Sequence, residues 1–248
     1  MAIALGSTAI NKLWLGTTEL KKVFHGDALI YDKTAPVATF PVVEGTNQNA
    51  TTSVSSSIAV ALPASIQAGE LLIIFVSANN NAGVTFTTPS GWTQLYNVTG
   101  GGNMRRHACY YKVATGSEGA SVTLTGSTNA TFAANSYRIS GYQGTPEAAT
   151  PATGSSASPN PPSLTPSWGS AKTLWLAVAA DISTSGTAPT APTNFGSGIT
   201  AQGNTFGANQ CRTSSSRREL ESTSEDPGTF TIGSSNQWIA ATVAIRPA

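Results

Sequence analysis

Charge is scarce in this chain. Only 10% of its 248 residues are Asp, Glu, Lys or Arg, against the ~25% usual for soluble globular proteins. The 13 basic and 12 acidic side chains leave a formal net charge of +1. No strong overall field draws in phosphate backbones or anionic lipid, which argues against nucleic acid and membrane as partners. Histidine and cysteine are rarer, at two residues each. Cys109 and Cys211 lie far apart, without the close paired spacing of a zinc site or a redox motif. Two buried, unpaired thiols are expected, with a disulfide between them as the alternative. Long apolar runs are also lacking: Leu71 to Val76 and Leu174 to Ala180 are strand-sized and well short of the ~18 residues of a membrane-spanning helix. The opening residues have no basic n-region, and Gly6, Ser7, Asn11 and Lys12 interrupt their apolar run, so no secretion signal is expected.

What is present is 24 Gly, 14 Pro, dense Ser and Thr, and 40% hydrophobic residues. That mixture suits many short strands joined by polar loops. The length falls within reach of one large β domain whose core needs no metal or cross-link.

Two internal repeats organise the chain. The first has a period of ten: Leu5 to Trp14 is followed by Leu15 to Phe24, with a partial third copy from His25 to Tyr31. Gly6, Gly16 and Gly26 fall where tight turns need positive φ, so the segment reads as a small β-meander. Strand alternation places Ile10, Trp14, Leu20 and Phe24 on one face and Leu13, Leu15 and Val23 on the other. A ribbon this small cannot bury both faces, so these residues are expected to pack against another protein or further copies of the chain. In the second repeat, Glu70 to Val76 resembles Lys172 to Val178, and Pro89-Ser90-Gly91-Trp92 resembles Pro192-Thr193-Asn194-Phe195. Val122 to Ser127 likewise resembles Thr229 to Ser234, and Ala133 to Ile139 resembles Ala240 to Arg246.

Two copies of about four strands predict an all-β fold: a short amino-terminal β-meander, then a jelly-roll-like two-sheet sandwich with an internal pseudo-two-fold repeat. A pair of immunoglobulin-like domains is the competing architecture. It is disfavoured because each half is rich in turns and leaves too little for two separate cores. The expected division is residues 1–33 as an anchor or oligomerisation segment, 34–49 as a linker stiffened by Pro36 and Pro41, and 50–248 as the sandwich.

Catalytic chemistry finds little support. His25 and His107 have no recognisable catalytic companions, and His107 reads as a strand residue near a sheet surface. Cys109 lies two residues from His107 and so shares its strand face, a spacing that admits a thiolate pair as the minority reading. A glycosidase needs paired carboxylates across a cleft, but Glu70, Glu118, Glu147 and Asp181 are scattered. The cluster Glu219, Glu221, Glu225 and Asp226 reads as a solvated loop, with a calcium or sugar site as the alternative. Gly100-Gly101-Gly102 and Gly116-Ser117-Glu118-Gly119 have no Gly-Lys-Ser/Thr or helix behind them and read as hairpin connections. Asn79-Asn80-Asn81 reads as a loop tip. Trp92, Phe195, Trp175 and Trp238 suit the core. Tyr142 and Trp168, flanked by turn residues, are the candidate rings for stacking on sugars. No catalytic residue, metal or cofactor is expected.

The segment Ile10 to Asp32, INKLWLGTTELKKVFHGDALIYD, resembles the short amino-terminal repeat of structural proteins in tailed bacteriophages and gene transfer agents. The stretches IQAGELLIIFVSANN, SGWTQL, YYKVATGSEGASVTLTG and SYRISGYQG resemble a β-sandwich recurrent in phage tail, fibre and head-spike proteins. The resemblance implies a non-enzymatic virion protein, assembled in the host cytoplasm and docked on head, collar or tail through its amino terminus. The sandwich would face outward toward host-surface polysaccharide. Implied partners are other virion proteins and further copies of the chain, as a trimer or pentamer. A capsid or tail decoration protein without a receptor role is the alternative, and a glycan depolymerase a third.

Overall fold

The computed structural model describes residues 13–15, 18–32, 38–80, 83–100, 105–182, 187–203 and 210–248. Among them lie seventeen strands and no helix. They are β1 (Leu13–Leu15), β2 (Thr18–Leu20), β3 (Lys22–His25), β4 (Ala28–Asp32), β5 (Val42–Ala50), β6 (Ser55–Ala61), β7 (Leu71–Asn79), β8 (Phe86–Thr87) and β9 (Thr93–Thr99). The series continues with β10 (Arg105–Val113), β11 (Ser121–Ser140), β12 (Glu147–Ala148), β13 (Ala152–Ser156), β14 (Ala171–Asp181), β15 (Gly196–Gly203), β16 (Cys211–Ser222) and β17 (Asn236–Ile245). The chain divides into two compact units, Met1–Ala38 and Thr39–Ala248.

In the larger unit, the unbroken apolar runs become central strands. β7 is buried at every residue, and β14 and β17 at all but their first two. One sheet has the order β5-β11-β7-β10-β9, and the other β12-β17-β14-β16-β15. The halves therefore repeat the same antiparallel order, with β11, β7, β10 and β9 answered by β17, β14, β16 and β15. Their facing surfaces share one core: Leu71, Ile73, Phe75, Tyr137 and Ile139 meet Leu174, Leu176, Val178, Val243 and Ile245. Each half also has a core of its own on the outer face. In the first, Ile58 and Val60 of β6, Phe86 of β8, Trp92 of the loop after it and Leu124 at the start of β11 pack with Leu72, Ile74 and Phe132. In the second, loop-borne Leu164, Phe195 and Phe230 cover Trp175, Ala177 and Ala179.

A two-sheet all-β sandwich is thus observed, but each central sheet comes from one half of the chain, so its strands do not alternate between sheets as a jelly-roll wrap requires. The sequence argument that each half lacks material for a separate core is also overturned, because the short strands β6 and β8 and the start of β11 in the first half, and loops in the second, carry the outer apolar residues. Part of the expected linker is strand: β5 pairs along β11 as an edge. Its Gly and Asn residues disfavour strand locally, yet they are used. Asn49 accepts from the Ala61 N–H at 2.9 Å and donates to the Ala59 carbonyl at 2.8 Å, covering the backbone of β6.

The sequence repeat is real in its elements, but parts of its register are displaced by one residue. Phe75 pairs with Cys109 and Val178 with Ser215, while Ile73 pairs with Tyr137 and Leu176 with Val243. Leu71 therefore corresponds to Leu174, and Tyr137 to Val243. Similarly, Thr125 pairs with Thr87 and Thr231 with Thr190, which makes buried Leu124 and Phe230 equivalents. A one-residue slip exchanges the faces of a strand, and strands buried on both faces offer no alternation to expose it. The turn before Trp92 and Phe195 is matched as expected: each N–H bonds back to Pro89 or Pro192 at 3.1 Å, and both rings are buried.

In the smaller unit, the expected meander is two separate hairpins, β1–β2 and β3–β4. Leu13 pairs with Leu20 and Leu15 with Thr18, so position 20 shares a face with 13 and 15, not with 14. The hairpin turn reverses the parity that counting along a single strand assigned. Gly26 has φ +62° at the β3–β4 turn, as its place in the repeat predicts. Ile10, Gly6 and Gly16 lie outside the described residues.

Candidate functional site

The densest set of chemically capable side chains lies between the two central sheets. His107, fully buried in β10 rather than near a surface as its sequence context suggested, places Nδ1 3.0 Å from Ser77 Oγ and Nε2 2.9 Å from the Tyr96 hydroxyl. Ser77 Oγ lies 2.5 Å from Thr213 Oγ1 of β16, which donates to the Ala133 carbonyl at 2.9 Å. Donor counting orients the chain. The carbonyl only accepts and so takes the Thr213 proton. Ser77 must then donate to Thr213, and His107 Nδ1–H to Ser77, leaving Nε2 to accept from Tyr96. Burial holds the imidazole pKa down to about 3, against an opposing backbone bond with Val76. Beside this chain, Asn135 donates to the Thr213 carbonyl at 3.2 Å and to Ser215 Oγ at 3.0 Å, and the Tyr137 hydroxyl meets Ser215 Oγ at 2.6 Å.

A serine bonded to a histidine bonded to a third group has the outline of an acyl-transfer site, but a nucleophile must reach substrate. Ser77 is 2% and His107 0% exposed, and both ring nitrogens are engaged within the fold. Cys109 faces the same core as the spacing predicts, but burial pushes its thiol well above the ordinary range, so it is neutral. Neither cysteine forms a disulfide, and both are buried. The cluster therefore joins two sheets. Sequence reading missed Ser77, Tyr96, Asn135, Thr213 and Ser215; the available signal was a polar residue directly after the apolar run Leu71 to Val76.

The carboxylates serve ion pairs. Arg212 and Asp181, both without exposed side-chain surface, form two hydrogen bonds of 2.9 and 2.8 Å. Arg138 meets Glu70 at 2.7 Å, Arg218 meets Glu225 at 2.8 Å, and Lys112 meets Glu118 at 2.9 Å. The expected solvated acidic loop is corrected here. Glu219, Glu221 and Asp226 are exposed as expected, but Glu219 and Glu221 lie in β16, because pairing with β14 carries that strand through Ser222, and Glu225 is buried against Leu164. Likewise, Asn79 ends β7 and Asn80 is buried, their amides donating to the Gln210 and Asn129 carbonyls, so these two do not form a loop tip.

The two candidate sugar-stacking rings are half-buried. Tyr142 bridges to Pro247 and packs on the inter-sheet core, and burial raises its pKa. Trp168 packs on the outer core of the second half and donates from its indole N–H to Thr173 Oγ1 at 3.2 Å. Two open grooves, about 440 and 530 Å³ in volume, are walled respectively by Thr46, Gln48, Ile199 and Thr200 and by Pro63, Ser65, Ile66 and Glu118, with Asn47 in both; neither has an aromatic ring.

Among the described residues, the amino-terminal unit carries four exposed large hydrophobic side chains, and the larger unit carries Val42, Val54 and Val113. Leu15 is 67%, Phe24 56%, Leu29 48% and Ile30 42% exposed, whereas Leu20 and Val23 are half-buried. Phe24 and Leu29 are cross-strand partners and so share one face of the β3–β4 ribbon. Leu13 and Trp14 lie in β1. His25 ends β3 on the exposed surface. Two-stranded ribbons are marginal in water by themselves, and this one leaves its largest apolar side chains in solvent. That surface is the candidate site for contact with another molecule. No protein-family model, curated protein or solved structure matches the chain.

Proposed function

We propose that the chain is a non-enzymatic structural protein of a tailed-phage or gene-transfer-agent particle, held to head, collar or tail by its amino-terminal hairpins. One observation carries this reading: Leu15, Phe24, Leu29 and Ile30 stand exposed on a small unit of two ribbons, while Thr39–Ala248 buries its own cores. Docking of the ribbons removes that apolar surface from water, at about 25 cal/mol per Å² buried. Repetition of the chain around a symmetric particle axis multiplies a weak contact into a firm one.

Two roles remain for the sandwich. Attachment to host-surface glycan requires an accessible stacking ring with hydroxyl and amide groups beside it. The packing of Tyr142 and Trp168 into core clusters favours the second role, a decoration or cement protein that braces neighbouring subunits without touching a receptor. A depolymerase is the weakest reading, since Glu70, Asp181 and Glu225 are taken up by ion pairs. Particles assembled with full-length chain and with residues 39–248 alone provide the test. Only the full-length chain should co-sediment with particles, and equal incorporation of both would refute the anchor. Binding of the sandwich to a host polysaccharide array would restore the attachment role.

A further inference from the structure

We propose that His107 and its partners form a proton-operated latch between the two halves of the sandwich: a second proton on the imidazole sets an unpaired cation in the closed seam where β7 and β10 meet β16, and so drives the seam open. The geometry carries this. The chain runs in one direction, from His107 Nδ1–H through Ser77 and Thr213 to the Ala133 carbonyl, and Nε2 is its single accepting ring atom. A proton on Nε2 turns the Tyr96 hydroxyl from donor to acceptor, so the phenol hydrogen loses its partner while the Nδ1 side of the chain stays bonded and the ring becomes a buried cation.

The surroundings offer the resulting cation no anion. From β7 come Ser77 and Phe75, whose ring stacks on the imidazole at 6.4 Å; β9 contributes the Tyr96 phenol, tilted at 5.4 Å. Cys109 stands on the same strand face, Tyr137 of β11 packs edge-on beyond Phe75, and β16 brings Thr213 and Ser215. Burial raises the pKa of Tyr96, Cys109 and Tyr137, so all three are neutral in acid. The neighbouring cations are directed elsewhere: Arg106 to Asn97 and Thr99, Arg212 to Asp181, while Arg217 acts on the Tyr137 phenol. Among the described residues, no carboxylate is a hydrogen-bond or ring partner of the imidazole.

The sign follows from linkage. The imidazole is held at about 3 in the closed sandwich against an ordinary 6.5. Above pH 6.5 neither state binds the proton, and the latch is neutral in effect. Between there and about 3 the opened chain binds it and the closed one does not, so each pH unit favours opening roughly tenfold.

The full chain contains two histidines, so His25→Gln leaves His107 as the sole imidazole for an NMR titration from pH 7 to 3, read beside amide hydrogen exchange. His107 should stay neutral until a cooperative step in which amides of β7, β10 and β16 lose protection together. In the same background, His107→Gln, which donates and accepts without titrating, should move that step down by about one pH unit or more. The ion-paired carboxylates take up protons in both proteins, so the comparison isolates the ring. Protonation of His107 near 6.5 with β10 and β16 still protected would overturn the latch, as would identical acid midpoints for parent and variant. If His107→Gln does not fold, the parent titration decides alone.

Discussion

At the residue scale, the sandwich depends on polar groups that its apolar surroundings make costly to orphan. Asp181 and Arg212 have no exposed side-chain surface and hold each other through two hydrogen bonds. Asp181→Asn takes from the buried guanidinium the carboxylate charge it bonds twice, so the urea midpoint should fall by the equivalent of ~3–5 kcal/mol. Pairing it with Arg212→Met should recover much of that loss, because the orphaned charge is then gone. Gly154 makes a different demand. It pairs across the strands with Trp238, whose indole occupies the space a Cβ would need and donates to Ser156 Oγ at 3.0 Å. Gly154→Ala should displace the ring, red-shift tryptophan emission and cost about 1–3 kcal/mol in chemical denaturation. Neither role was legible beforehand. Trp238 could be assigned to the core from its apolar strand, but its partner is a glycine more than eighty positions away in sequence, and Asp181 looked like one more scattered acid.

At the element scale, the connection between β10 and β11 is closed by one carboxylate. Burial by itself would raise the Glu118 pKa. Bonds from the Thr115 N–H and hydroxyl and from Lys112 outweigh it and hold the group at about 2. A depressed carboxylate stabilises the fold above its ordinary pKa of 4.5 and loses that contribution as pH falls through about 2. Glu118→Gln should therefore melt below the parent at pH 7, and the gap should close by pH 2 in a thermal scan. The existence of β7, β10, β11, β14 and β17 was legible because their residues are β-formers in strand-sized runs. Their register was not. Leu71 and Leu174 correspond across the halves, yet the one-residue-shifted alignment looked equally good, since every position in β7 is buried. The extent of β5 was hidden for the opposite reason: Gly45, Asn47 and Asn49 argue locally for a loop and are held in a strand by β11 and by side-chain bonds to the backbone of β6 and beyond.

At the scale of the whole molecule, the two units contribute unequally. No residue of Met1–Ala38 belongs to any core cluster among the described residues. A chain reduced to residues 39–248 should therefore unfold at the same temperature as the full protein, within about 2 °C by calorimetry. Removing Leu15, Phe24, Leu29 and Ile30 should also lower binding of an apolar reporter dye, the remainder belonging to Val42, Val54 and Val113.

The all-β class, the repeated halves and the unsatisfied amino-terminal ribbon were determined by the sequence alone, because composition, strand-sized apolar runs and turn residues act locally. The facing of one half upon the other, the outer core of each half and the enclosure of His107 were decided only by the tertiary structure. A strand buried on both faces has no alternation from which its neighbours can be read. A buried polar residue likewise takes its role from partners that chain folding brings together, such as Ser77 and Thr213.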